Sequence, residues 1–153
     1  MYKKYAVILG AVLLLVLCFI WGNSALSPAV SGKISAAVGE LMAEILGTGD
    51  ESTTVGGLPV RKLGHFFEYA VLGIVVPLFL ACIVRIMSLR ITLTTTVGFA
   101  VPLIDETIQI FSGRGPALRD VWIDIAGYAV GCALIHIALL IAWSVILKSK
   151  KQQ

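Results

Sequence analysis

Four apolar runs, each long enough to cross a bilayer, limit what this chain can fold into. They lie at about residues 5–21, 63–86, 91–111 and 121–147, and a helix needs about 20 residues to span the hydrocarbon core. Only 14% of the residues are charged and 58% are apolar, against about 25% charged in soluble domains, which excludes an ordinary water-soluble globule. With no water in the bilayer, each segment must satisfy its own backbone, and runs of this length do so as helices. The expected fold is therefore all-α, a four-helix transmembrane bundle. Its 153 residues form a single membrane domain with no room for a second. The first run follows Lys3 and Lys4 and exceeds a signal-peptide core of about 7–15 residues. With only Asn23-Ser24-Ala25 as a weak cleavage site, it reads as a retained span.

Cations choose the orientation. With the N-terminus in the cytoplasm, the inner segments hold Lys3, Lys4, Arg85, Arg90, Lys148, Lys150 and Lys151 and no acid, and the outer ones hold Lys33, Arg61, Lys62, Arg114 and Arg119. Short, purely basic inner connections are the positive-inside pattern. A multi-pass membrane protein with both termini cytoplasmic is expected. The net charge of +3 is not gathered into a stripe, which argues against nucleic acid as a partner. Cys18, Cys82 and Cys132 lie inside apolar runs with no CxxC spacing and read as small buried hydrophobes.

The outer segment before the second span contains a further helix. Val30, Ile34, Ala37, Leu41 and Ile45 recur every three to four residues between polar positions, Ser27-Pro28 supplies a start and Gly47 a stop, so an extracellular amphipathic helix is expected over about 28–46. It would lie in the membrane interface or lid the bundle. Residues 47–59 read as a flexible loop.

The acids carry the functional signal. Glu68, Asp105, Glu106, Asp120 and Asp124 fall within or at the edges of spans two, three and four. A mid-membrane acid costs about 2.5–3.5 kcal/mol, so these side chains are expected to face one another or water. Given the orientation, all five, with His65 and Gln109, come to the outer leaflet, no more than about 10 Å below the helix ends. His65 and Glu68, Asp105 and Gln109, and Asp120 and Asp124 are each spaced to share a helix face. Gly127 and Gly131 form a G-x-x-x-G that admits close helix packing next to Asp124, and Pro77 and Pro102 lie inside spans two and three. Arg61, Lys62, Arg114 and Arg119 lie at the same edge, Arg114 in the tight Ser112-Gly113-Arg114-Gly115-Pro116 connection, where it could pair with Asp120 or fork onto a phosphate or carboxylate. His136, deep in span four, and Trp21, Trp122 and Trp143 read as interfacial residues.

Lys62-x-x-His65-Phe66-x-Glu68-Tyr69, Asp105-Glu106-x-x-Gln109-x-Phe111 and Gly113-Arg114, followed by Asp120-x-x-x-Asp124-x-x-Gly127-x-x-x-Gly131, resemble the VanZ-like family of small bacterial membrane proteins. The resemblance is strong over about residues 60–131. Many members have His where this chain has Ile108, and Asn where it has Asp124. The resemblance implies a role at the outer face of the cell envelope and a link to resistance against the glycopeptide teicoplanin.

Two classes of function follow. In an enzyme acting on a lipid-linked envelope substrate, His65 would be the general acid or base, oriented by Glu68 or Asp120, with Asp105 and Glu106 holding a second proton or a cation and Asp124 able to join a proton-sharing carboxylate pair. No nucleophile is evident. In a binding or accessory protein, the acids would select cationic or hydrogen-bonding groups, and Lys62, Arg114 and Arg119, with Gln109, would recognise a lipid head group, an envelope precursor or a glycopeptide. The ring would otherwise be a structural network. No cofactor is expected, the one alternative being a divalent cation held by His65, Glu68, Asp105 and Asp120. Membrane lipids are the expected surroundings, and the oligomeric state is not legible.

Overall fold

The computed structural model describes residues 2–46, 54–55, 58–113 and 117–151. In chain order these are α1 (Tyr2–Ser24), α2 (Pro28–Leu46), a two-residue pair β1 (Thr54–Val55) and β2 (Leu58–Pro59), α3 (Val60–Ile83), α4 (Met87–Phe111) and α5 (Leu118–Lys151). Lys3–Ser24, α3, α4 and Leu118–Leu147 are each long and apolar enough to cross a membrane, so the expected all-α, four-span architecture holds. Large apolar side chains such as Leu15, Ile91, Leu140 and Trp143 are exposed around the bundle, as a lipid-facing surface requires.

The spans are found but their ends differ from those expected by hydropathy. The second runs over 60–83 rather than 63–86. Val84 and Ile86 are apolar but belong to the turn, where Arg90 Nε donates to the Val84 carbonyl at 2.6 Å, so hydropathy runs on through a break made by hydrogen bonding. The same turn lets α4 begin at Met87 rather than 91. Both α1 and α5 extend past the apolar run into polar ends. Helix α4 stops at Ser112, followed by Gly113 at a φ of +84°, a left-handed conformation suited to glycine after a helix.

Helices α3 and α5 run parallel and make the tightest contact in the bundle. A Cβ added at Gly127 would lie 2.3 Å from the Phe66 carbonyl oxygen, one at Gly131 2.0 Å from that of Ala70, and one at Gly73 2.1 Å from that of Tyr128. Backbone thus lies directly on backbone, the close approach that small residues allow in membranes. Tyr128 fills the space toward α4. Its ring covers Gly98, and its hydroxyl donates to the Thr94 carbonyl at 2.8 Å. Around it the core comprises Ile20 of α1, Tyr69, Leu72, Val76 and Leu80 of α3, and Val101 of α4. Trp21, near the end of α1, packs against this core.

Helix α2 spans the expected residues, with Ser31 N–H donating to the Ser27 carbonyl at 3.0 Å. Its docking face is not the apolar stripe. Ser31 and Gly39 are buried, while Val30, Ile34, Val38 and Leu41 are exposed, because only small side chains fit against the bundle. Where a wholly flexible loop was expected, Thr54 pairs with Pro59 and Val55 with Leu58 in an antiparallel ladder. The expected stop at Gly47 lies outside the described residues.

Gly131→Ala is expected to destabilise the bundle by about 1–3 kcal/mol through overpacking, read as a lowered thermal unfolding midpoint in detergent. Gly32→Ala on α2, where an added Cβ meets nothing within 4 Å, is expected to leave the midpoint unchanged or raised.

Candidate functional site

The parallel packing of α3 and α5 makes their polar residues meet in rungs. Lys62 Nζ lies 2.9 Å from Asp120 Oδ1, both side chains 29% exposed. One turn deeper, His65 Nδ1 lies 3.6 Å from Asp124 Oδ1. Helix α4 closes the group from the opposite side, with Asp105 Oδ2 3.8 Å from the same imidazole nitrogen. His65, Asp105 and Asp124 are all buried. Each sits about 7–9 Å along its helix from the nearer end by helical rise, so the three share one level. The expectation that acids from separate spans converge is met by Asp105 and Asp124.

Gln109 is the hub that fixes this arrangement. Its Nε2 donates to Asp105 Oδ2 at 2.8 Å and to Ser24 Oγ at 3.4 Å, and its Oε1 accepts from Arg61 Nη2 at 2.9 Å. One buried amide therefore ties α1, α3 and α4 together. Ser112 Oγ adds a bond to the Ser24 carbonyl at 3.1 Å. The spacing of Asp105 and Gln109 made their shared face visible in sequence.

Other expected site residues go elsewhere. Glu68 turns away from His65 toward α1, where Oε1 accepts from Asn23 Nδ2 at 2.9 Å. A three-residue step leaves two side chains about 60° apart around a helix, and here that is enough to give them different neighbours. Glu106 accepts from the Ala117 backbone N–H at 2.5 Å, tying down the start of α5, and is not among the residues gathered around His65. Asp120 pairs with Lys62 at the mouth rather than orienting His65. Arg119 is exposed, and Arg114 lies outside the described residues. The three side chains that offer donor atoms within 4.8 Å of one another are His65, Asp105 and Asp124. This set differs from the expected His65, Glu68, Asp105 and Asp120, because Asp124 rather than Asp120 lies level with the imidazole.

Two cavities open beside these residues. A polar pocket of about 240 Å³ is lined by Arg61, Lys62, His65, Asp120, Ile123 and Asp124. A largely apolar groove of about 510 Å³ lies between α1, α2 and α3, lined among others by Cys18, Phe19, Ile34, Val38, Gly64 and Glu68. Arg61 lines both.

A family model described as VanZ/LLP1 matches residues 7–142. The chain belongs to the VanZ/LLP1 family. No curated protein and no solved structure matches it. The VanZ/LLP1 match runs from the first turns of α1 deep into α5, so it takes in every residue gathered around His65. With four helices long enough to span, this VanZ/LLP1 protein is a multi-pass membrane protein.

Sequence reasoning missed the part played by α1. Asn23 and Ser24 follow the apolar run and read only as part of a weak cleavage site, yet Ser24 is fully buried, Asn23 bonds to Glu68 and Ser24 to Gln109. Their signal was depth: the end of α1 falls at the same level as His65 and Gln109. Arg61, counted only among the edge cations, also reaches the hub.

Gln109→Leu is expected to cost about 1–3 kcal/mol, because it leaves buried partners without their bonds. Lys62→Gln, at a part-exposed pair, is expected to cost under about 1 kcal/mol. Unfolding midpoints of both variants in one detergent check the order.

Proposed function

We propose that this protein binds a lipid-linked component of the bacterial cell envelope in the outward-facing leaflet, and that this occupancy underlies protection against a glycopeptide such as teicoplanin. The observation that carries the reading is Arg61. It stands between the polar pocket and the apolar groove, so one amphiphile can place its head group against Lys62, His65 and Asp124 while its chain lies along Phe19, Ile34 and Val38. Pockets that combine an apolar wall with a few convergent polar groups are the usual form of small-molecule sites.

Charge supports the orientation. The bundle end remote from the pocket carries Lys3, Lys4, Arg85, Arg90 and the basic residues after Leu147, with no acid. The positive-inside bias then puts both termini in the cytoplasm and the pocket outside. The exposed apolar stripe of α2 fits an interfacial helix at that outer surface.

Binding without covalent chemistry is the better-supported mode. Ser112 Oγ donates to the Ser24 and Gln109 carbonyls, and the free cysteines Cys18, Cys82 and Cys132 are not among the residues lining the polar pocket. Arg61 and Lys62 would hold an anionic head group by charge-assisted hydrogen bonds.

Expression in a teicoplanin-susceptible bacterium is expected to raise the inhibitory concentration several-fold. Lys62→Glu, which reverses the charge at the mouth, and Ser35→Trp, which fills the groove beside Ile34, are each expected to abolish protection at unchanged membrane level. Full protection by both variants would overturn the reading.

A further inference from the structure

We infer that His65, Asp105 and Asp124 form a binding site for one divalent cation of the Mn²⁺ or Zn²⁺ type at the floor of the polar pocket. This goes beyond the head-group reading and does not depend on it.

Each of α3, α4 and α5 supplies one donor, and the three donor atoms lie within 4.8 Å of one another. The separations from His65 Nδ1 are 3.6 Å to Asp124 and 3.8 Å to Asp105. Donors bound at about 2.0–2.2 Å to a common ion sit about 3.0–3.6 Å apart in tetrahedral or octahedral sites. The two nitrogen-to-oxygen separations lie at or just above the top of that range, and the two carboxylate oxygens lie within 4.8 Å of each other. A charge-assisted hydrogen bond would instead hold nitrogen and oxygen about 2.7–2.9 Å apart. The groups stand at ligand-to-ligand spacing.

Asp124 supplies a second and independent observation. It is 2% exposed, and its Oδ1 has no hydrogen-bond partner among the described residues, although it lines the polar pocket. A buried carboxylate oxygen in that position is one a cation satisfies. Charge agrees. Two ionised carboxylates and a neutral imidazole offer a ligand set of charge minus two, which matches a divalent ion. The Lys62–Asp120 pair lies one turn above, and Arg61 bonds to the Gln109 amide.

The donor set narrows the ion. One imidazole nitrogen with two carboxylates and no sulfur suits Mn²⁺ or Zn²⁺ better than the all-oxygen shells of Ca²⁺ and Mg²⁺. Gln109 Nε2, donating to Asp105 Oδ2, is the kind of outer partner that fixes a carboxylate ligand. His65 and Asp124 line the pocket, from which water or an oxygen of an anionic group would complete the shell.

The full chain, purified in detergent and stripped with a chelator, is to be titrated with Mn²⁺ alone while free Mn²⁺ is read by electron paramagnetic resonance. One ion per chain is expected, and its pulsed spectrum is expected to carry the nitrogen coupling of a ligating imidazole. That coupling should persist in His136→Gln, which removes the other histidine. Asp124→Asn should weaken binding by roughly tenfold or more. Absence of saturable one-to-one binding, absence of nitrogen coupling, or its loss in His136→Gln would each overturn the inference, and none of these requires a variant of the cluster to fold. Unaltered binding by a folded Asp124→Asn would overturn it too. Because no antibiotic or lipid enters the measurement, its failure is distinct from a failure of the protection experiment.

Discussion

The rest of the structure depends on the backbone contact between α3 and α5. In a bilayer, lipid tails compete on equal terms with apolar side chains, so helices gain little from hydrophobic burial and must associate by close packing and polar bonds. Gly127 and Gly131 against the Phe66 and Ala70 carbonyls, with Gly73 returning the contact at Tyr128, provide that packing. They also set a register. Because the two helices are parallel, one fixed contact at Phe66 and Gly127 determines that Asp124 lies level with His65 and that Asp120 lies level with Lys62. Tyr128 then carries the register to α4 by lying on Gly98 and bonding to Thr94, which brings Asp105 up to the same imidazole.

This arrangement puts two carboxylates where a bilayer protein would gain most from having none. Desolvating such groups costs several kcal/mol each, and the two are treated differently: Asp105 accepts from Gln109, while Asp124 Oδ1 has no hydrogen bond among the described residues. By contrast, Glu106 has its backbone partner at Ala117 and Asp120 its lysine. The unequal treatment separates groups that hold the fold from groups held by it.

Much of this was legible in the sequence, and the losses have physical causes. Span number followed from the length of the apolar runs, and the shared level of His65, Asp105 and Asp124 from helical rise. Ends were displaced wherever apolar residues continued through a turn, as at Val84–Ile86, since hydropathy does not sense a hydrogen bond such as that from Arg90 to Val84. Periodicity placed His65 with Glu68 and Asp120 with Asp124 on common faces, but a face is about as wide as the gap between neighbouring helices. The rotation that sends Glu68 to Asn23 and His65 to the acids is set by the glycine contacts, which single-helix patterns do not contain. Helix α2 shows the same limit: its apolar stripe was plain, yet Ser31 and Gly39 make the contact, because close approach selects for size before polarity.

Both cavities adjoin α3. Helix α3 lies tightly on α5, and the groove containing Phe19 and Val38 lies between α1, α2 and α3. Arg61 is at the first turn of α3, where it lines both cavities, and its bond to Gln109 ties that turn to the hub that positions Asp105. On the proposed reading, a ligand that draws Arg61 away from Gln109 would release one of the three bonds holding the Gln109 amide and with it loosen the orientation of Asp105. Head-group recognition and the state of the buried acids would then be coupled through one amide side chain, with no helix needing to move.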